Sequence, residues 1–204
     1  MIEVIFMEGN IEMVQAEVAD KTANPAPLGF TGLGLSAVLL SLTYVGLFPL
    51  DSMVVSMAIF LGGFAQVFAG IMAWKKGDVF AGTAFNAFGL FWFSFAGLII
   101  LQALGLAATA EPISMAAYLF IWGVYTFVML IGTLKMSNGS RAMQFVFLTL
   151  FILFILLAIS NATGMSGLLV IAGIDGLLLG FGSLYTALAM VLNEICEKPV
   201  APGI

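Results

Sequence analysis

Charges are so sparse along this chain that they cut it into uncharged blocks. Residues 28–50, 52–74 and 112–134 each run for 23 residues without a charge, 79–110 for 32, 142–174 for 33 and 176–193 for 18. A helix needs about 20 apolar residues to cross the ~30 Å hydrocarbon layer of a bilayer, so the first four blocks hold one span each. The remaining stretch is interrupted by Asn161-Ala-Thr-Gly-Met-Ser-Gly167, a polar segment with two glycines that reads as a turn. Six spans result, at 28–50, 52–74, 80–104, 115–134, 142–160 and 168–194. Their apolar residues are continuous rather than alternating, which argues against barrel strands. Helices satisfy their own backbone in lipid. The expected fold is therefore an all-α integral membrane protein with six transmembrane helices per protomer.

Composition supports the same reading. Apolar residues make up 62% of the chain and charged residues 8%, against about a quarter charged in a soluble domain. Six Lys and Arg, scattered, build no basic patch for nucleic acid. There is no His, which removes His-liganded metal and His proton relays. The single Cys196 forms no internal disulfide. No phosphate-cradling Gly-rich loop occurs. No nucleophile–base pair or metal set is visible, so neither an enzyme nor a cofactor or metal protein is expected.

The bases orient the spans. Lys21 precedes the first span, Lys75 and Lys76 follow the second, Lys135 and Arg141 join the fourth and fifth, and Lys198 follows the sixth. With six spans all of these lie on one face, while the opposite loops hold Asp51, Glu111 and no base. The positive-inside rule then puts both termini in the cytoplasm and the chain in the cytoplasmic membrane. Three regions follow: an acidic tail at 1–23, a transmembrane domain at 24–194 and a short tail at 195–204. Residues 1–20 carry five acids and no base, unlike a secretory signal peptide, and alternate them with apolar residues in a pattern open to a short amphipathic helix.

Polar residues inside the spans are few, and each must face protein or water. Gln66, Thr83, Asn86, Thr149, Asn161, Ser183 and Tyr185 are amides and hydroxyls that can donate to a small carboxylate without holding charge themselves, or, for the Ser and Thr hydroxyls above all, bond back to a carbonyl four residues earlier. Asp175 is the one charge inside a span, a candidate proton or cation site. Small residues at Ala172, Gly176, Gly180 and Ser183 recur along one face of the last span, as do Gly62, Gly63, Ala65, Ala69 and Gly70 in the second. Such faces let helices approach closely in lipid, either within one protomer or between copies.

The segment Asn24-Pro-Ala-Pro-Leu-Gly-Phe30 stiffens the approach to the first span and, with Asn24, supplies a helix start. It closely resembles the signature of the acetate uptake transporters, the succinate–acetate permease (YaaH) family. The resemblance runs on through Gly63-Phe-Ala-Gln-Val-Phe-Ala-Gly70, Lys75-Lys-Gly77, Thr83-Ala-Phe85, Trp122-Gly-Val124, Gly132-Thr-Leu-Lys135, Gln144-Phe-Val-Phe147 and Val191-Leu-Asn-Glu194. It covers nearly all of 24–194. The resemblance implies a homohexamer in which each protomer has its own path for acetate and, in some members, succinate. It also implies a hydrophobic constriction of Phe, Leu and Tyr. By position these fall at Leu33, Leu150 and Phe88, of which only Leu150 keeps the family's residue. A further position linked with substrate size falls at Ser183.

Together these readings predict a path with Leu33, Phe88 and Leu150 as a dry constriction. Gln66, Asn86 and Thr149 would be donors, with Asn24 at the entrance. Channel and proton-coupled mechanisms both remain open, with Asp175, Glu194 or the substrate itself as the candidate carrier. The competing reading is a membrane sensor or structural protein that binds a small ligand without moving it.

Overall fold

The computed structural model describes residues 22–136 and 139–204. The acidic tail through Lys21 and the Asn138 end of the fourth loop lie outside the described residues. Six helices long and apolar enough to cross a membrane are present among the described residues: α1 (Ala26–Tyr44), α2 (Ser52–Lys75), α3 (Val79–Ala103), α4 (Pro112–Lys135), α5 (Arg141–Thr163) and α6 (Ser166–Ile195). No strand occurs among them.

Helix starts follow local chemistry. The Asp51 carboxylate accepts from the Met53 and Val54 amides at the head of α2, and the Asp78 and Ser140 side chains cap α3 and α5 in the same way. Pro112 opens α4, where its missing N–H costs nothing.

Several boundaries differ from expectation, and at two helix ends a glycine is the reason. The first helix stops at Tyr44, not residue 50. Gly46 takes φ +81°, and the Leu47 amide turns back to the Leu42 carbonyl in a Schellman stop. The fifth helix runs past 160 to Thr163, so Asn161 is helical rather than part of a turn. Its Nδ2 donates to the Leu157 carbonyl at 2.8 Å, and the actual turn is at Gly164, φ +70°.

Sequence neighbours are also spatial neighbours. α1 packs on α2, α2 on α3, α4 on α5 and α5 on α6, and α1 closes the ring by packing along α6. The α1–α6 seam is made of small residues. A side chain added at Gly180 would reach 2.5 Å from Val38, and one at Gly34 would meet Leu184 at 2.7 Å and the Gly180 carbonyl at 2.9 Å. This resolves the small-residue face of the last span as packing within the protomer. The α2–α3 seam is similar, with Gly62 under Trp92 and Gly63 under Phe93. α3 meets α4 through rings instead. Phe88 and Phe91 face Tyr118, Trp122 and Tyr125, with Phe91 stacked on Tyr118 at 5.9 Å and edge-on to Trp122 at 5.2 Å.

The middle of α2, Ala58–Ala65, is wound as a π-helix. The wider winding loosens carbonyls from their usual partners. The Ser36 hydroxyl of α1 donates to the Met57 carbonyl at 3.0 Å, and Gly32 lets the α1 backbone close onto the Leu61 carbonyl. The same segment leads directly into Gln66.

Candidate functional site: a dry slot inside the helix ring

The ring encloses a slot of about 40 Å³. A single water needs roughly 10–15 Å³, so the slot holds only a few. Its walls come from α1, α3, α4, α5 and α6 and are almost wholly apolar: Leu33, Leu40, Phe88, Phe91, Leu150 and Leu153 are typical. Only Ser41 and Tyr44 bring hydroxyls to it.

Leu33, Phe88 and Leu150 all lie on this slot. They sit seven, nine and nine residues past the starts of α1, α3 and α5. All three helices begin on the face that carries the chain termini. At 1.5 Å per residue, each lies ~10–14 Å below that face, so three side chains from three helices meet at one depth. Each is no more than 4% exposed. Phe88 stands edge-on against Tyr125 at 5.5 Å and lies beside Trp122 and Phe147. Between Leu33 and the terminal face, Phe30 and Phe85 form an edge-on pair at 5.2 Å.

The polar candidates lie elsewhere. None of Asn24, Gln66, Thr83, Asn86, Thr149, Asn161, Ser183 or Tyr185 is among the slot's lining residues. Asn24 is exposed, and its Oδ1 accepts the Ala26 amide at 3.0 Å. Thr83 is exposed near the terminal face, where its carbonyl accepts the Tyr125 hydroxyl at 3.4 Å. Asn86 donates to the Gly82 carbonyl at 2.7 Å and occupies the space that Gly70 leaves open. The Thr149 hydroxyl donates to the Phe145 and Val146 carbonyls at 2.9 and 3.1 Å. Back-bonding of this kind satisfies a hydroxyl inside its own helix. Tyr185 is exposed, and its hydroxyl donates to the Pro202 carbonyl at 2.7 Å.

Two residues stand apart. Gln66 is fully buried with neither amide atom hydrogen-bonded, and Ser183 is fully buried with its hydroxyl unpartnered. They flank α1 from opposite sides. Gln66 lies beside Gly32, while Ser183 is one turn from Gly180, which touches Gly34. Asp175 is half-buried on α6, one residue from Gly176, with Oδ2 buried and unpartnered. No group of His, Cys, Asp and Glu among the described residues is arranged to hold a metal.

Sequence reasoning passed over Ser41 and Tyr44. The signal was present: Leu33, Ala37, Leu40, Ser41 and Tyr44 recur at helical spacing along one side of α1, and that whole stripe faces the slot.

Comparison with known proteins points one way. A protein of Escherichia coli K12 named succinate-acetate/proton symporter SatP is 44% identical over 182 residues, covering 89% of this chain and 95% of that protein. A protein of Methanothermobacter thermautotrophicus is 40% identical over 200 residues, covering 95% of this chain and 97% of its own length. A solved structure described as the bacterial acetate channel SatP superposes with a TM-score of 0.87 at 43% identity, over 90% of this chain and all of that one. Residues 7–198 match the profile of the GPR1/FUN34/yaaH family, and the chain belongs to that family.

Proposed function

We propose that this protein moves acetate, and other small carboxylates such as succinate, across the cytoplasmic membrane along a path inside each protomer. The observation that carries the reading is the convergence of Leu33, Phe88 and Leu150 at one depth of an apolar slot. It occurs in a chain 44% identical to a protein named for succinate–acetate transport. Acetate is an anion at neutral pH, since a free carboxyl titrates near pH 4, and a bare charge in lipid is expensive. A ring of three apolar side chains from three helices restricts flow by excluding water, and opening it admits the substrate. Gln66 and Ser183 are buried without hydrogen-bond partners beside α1, so a small rotation of α2, which packs on α3, would present the Gln66 amide to a carboxylate. Asn24 and Thr83 mark the entrance on the terminal face, and Asn86 lines the approach. Thr149, Asn161 and Tyr185 spend their donors on carbonyls and serve as local braces in the resting state.

The bases at Lys75, Lys76, Lys135, Arg141 and Lys198 share the face of the termini, which we therefore place in the cytoplasm. The copies assemble as a homohexamer, as the family resemblance implies. Where transport is proton-coupled, Asp175 is the carrier.

The test is labelled acetate uptake into liposomes. Uptake that exceeds bare liposomes and saturates with acetate supports transport. Binding of acetate to the purified protein with vesicles as tight as bare lipid would instead establish the sensor reading.

A further inference from the structure

Apart from the slot, a groove of about 490 Å³ opens in the outer wall, between the first turns of α5 and the second half of α6, at the terminal face. We propose that this groove is a binding site for an anionic phospholipid, with the headgroup phosphate on Arg141 and an acyl chain along Phe145, Phe181 and Leu178.

Three features support this occupant. The groove body is apolar and open to the membrane: Phe145, Leu178 and Phe181 are 42%, 53% and 59% exposed. From Tyr185 to Leu178 it runs seven residues along α6, or ~10 Å into the hydrocarbon layer. Gly182 makes it deep, because the Phe145 ring packs where a side chain would otherwise stand, 2.8 Å away.

The polar groups at its head are almost all spent. The Tyr185 hydroxyl donates to Pro202, the Ala142 amide donates to Gly203 at 3.1 Å and the Met143 amide to Ser140. Asn193 Oδ1 accepts the Val200 and Ala201 amides at 2.8 and 3.0 Å, which pins the tail across the groove end. Arg141 is what remains. It is exposed and has no ion-pair partner among the described residues.

A cation at the membrane–water boundary above a ~10 Å apolar trough matches a molecule with an anionic head and an acyl tail. A soluble anion has no use for the trough, and a neutral lipid has no use for the guanidinium. Arg meets a phosphate with two parallel donors, and basic pockets on the cytoplasmic side of helical bundles bind anionic headgroups in this way.

The test uses the full chain in detergent. Phosphatidylglycerol, phosphatidylcholine or inorganic phosphate is added, and both thermal unfolding and bound lipid by native mass spectrometry are recorded. Phosphatidylglycerol is expected to raise the melting temperature and stay bound where the other two do not. Arg141→Gln should weaken its retention roughly fivefold, the worth of one basic side chain at an anionic surface, and Arg141→Lys should restore much of it. Equal effects of the two lipids, an Arg141→Gln variant that behaves like wild type, or protection by phosphate alone would each overturn the proposal. So would a Leu178→Trp variant that breaks the oligomer without changing lipid retention, since the groove would then be a seam between copies.

Discussion

The ring of helices is closed by two seams of opposite construction. Where α1 meets α6, Gly34, Gly173, Gly176 and Gly180 bring backbones together, and every added carbon would strike the neighbouring helix. Where α3 meets α4, the backbones stand apart and the gap is filled by Phe88, Phe91, Tyr118, Trp122 and Tyr125. A glycine seam has no side-chain torsions through which to yield, so it fixes one geometry. An aromatic seam can re-pack by rotating rings about χ1 and χ2. The slot's constriction draws from both: Leu33 sits on the fixed helix α1 and Phe88 on the ring-packed α3. Opening the path then falls to the α3 side, while α1 and α6 act as the frame.

The strongest test of that contrast is Gly180→Leu. Its first added carbon would lie 2.5 Å from Val38 Cγ2 and 2.9 Å from the Val38 amide nitrogen. Backbone cannot move aside as a flexible side chain can, so overpacking here exceeds the usual cost of about 1–3 kcal/mol. The variant is expected to lose its monodisperse peak in size-exclusion chromatography. A well-folded Gly180→Leu protein would show that the frame is not rigid.

Next is Leu150→Trp. This change fills the slot and leaves both seams alone, so acetate uptake should fall about tenfold or more, equivalent to ~1.4 kcal/mol on the barrier. The melting temperature should stay within a few degrees of wild type. Unchanged uptake at a normal melting temperature would remove Leu150 from the constriction.

Asp175→Asn probes the frame from its other side. If the carboxyl carries the coupled proton, wild-type uptake in excess of bare liposomes rises as pH falls, because the carrier must be loaded. The Asn variant should lose that slope while keeping its fold, since an amide occupies the same space. A pH profile identical to wild type would exclude Asp175 as the carrier.

The two seams were unequally legible in the sequence. Small residues at four-residue spacing in the last span announced a close approach but not its partner; only the side chain opposite Gly180, Val38, identifies α1. The aromatic seam was harder to read. Phe is abundant everywhere in this chain, with 19 copies, and nothing in a single sequence distinguishes a Phe facing a neighbour from one facing lipid. The six spans were readable because charge is so costly in hydrocarbon that its absence marks each helix. The ends were less readable, since Gly46 and Gly164 act through backbone conformation and hydropathy does not record it. The candidate site divides the same way. Leu33, Phe88 and Leu150 came through the family resemblance and share one slot. Thr149 read either as a path donor or as a hydroxyl bonded back to its own helix, and only its hydrogen bonds to the Phe145 and Val146 carbonyls decide between them.

The smallest expected effect lies within the aromatic seam itself. Ser94 and Tyr118 hydroxyls stand 2.5 Å apart across α3 and α4. Ser94 also donates to the Phe91 carbonyl at 2.8 Å, which commits its single hydrogen and leaves Tyr118 as the donor between the two. Tyr118→Phe removes that donor and keeps the ring stacked on Phe91. Ser94 loses an acceptor role but buries no orphaned hydrogen. Hydrogen bonds between membrane helices average about 0.6 kcal/mol, so unfolding in denaturing detergent should shift by about that much, and acetate uptake should hold. A loss several times larger would mean that a single hydroxyl pair, and not the rings around it, sets the distance between α3 and α4. The seam would then be as fixed as the glycine seam opposite, and the opening of the path would have to be sought in another wall.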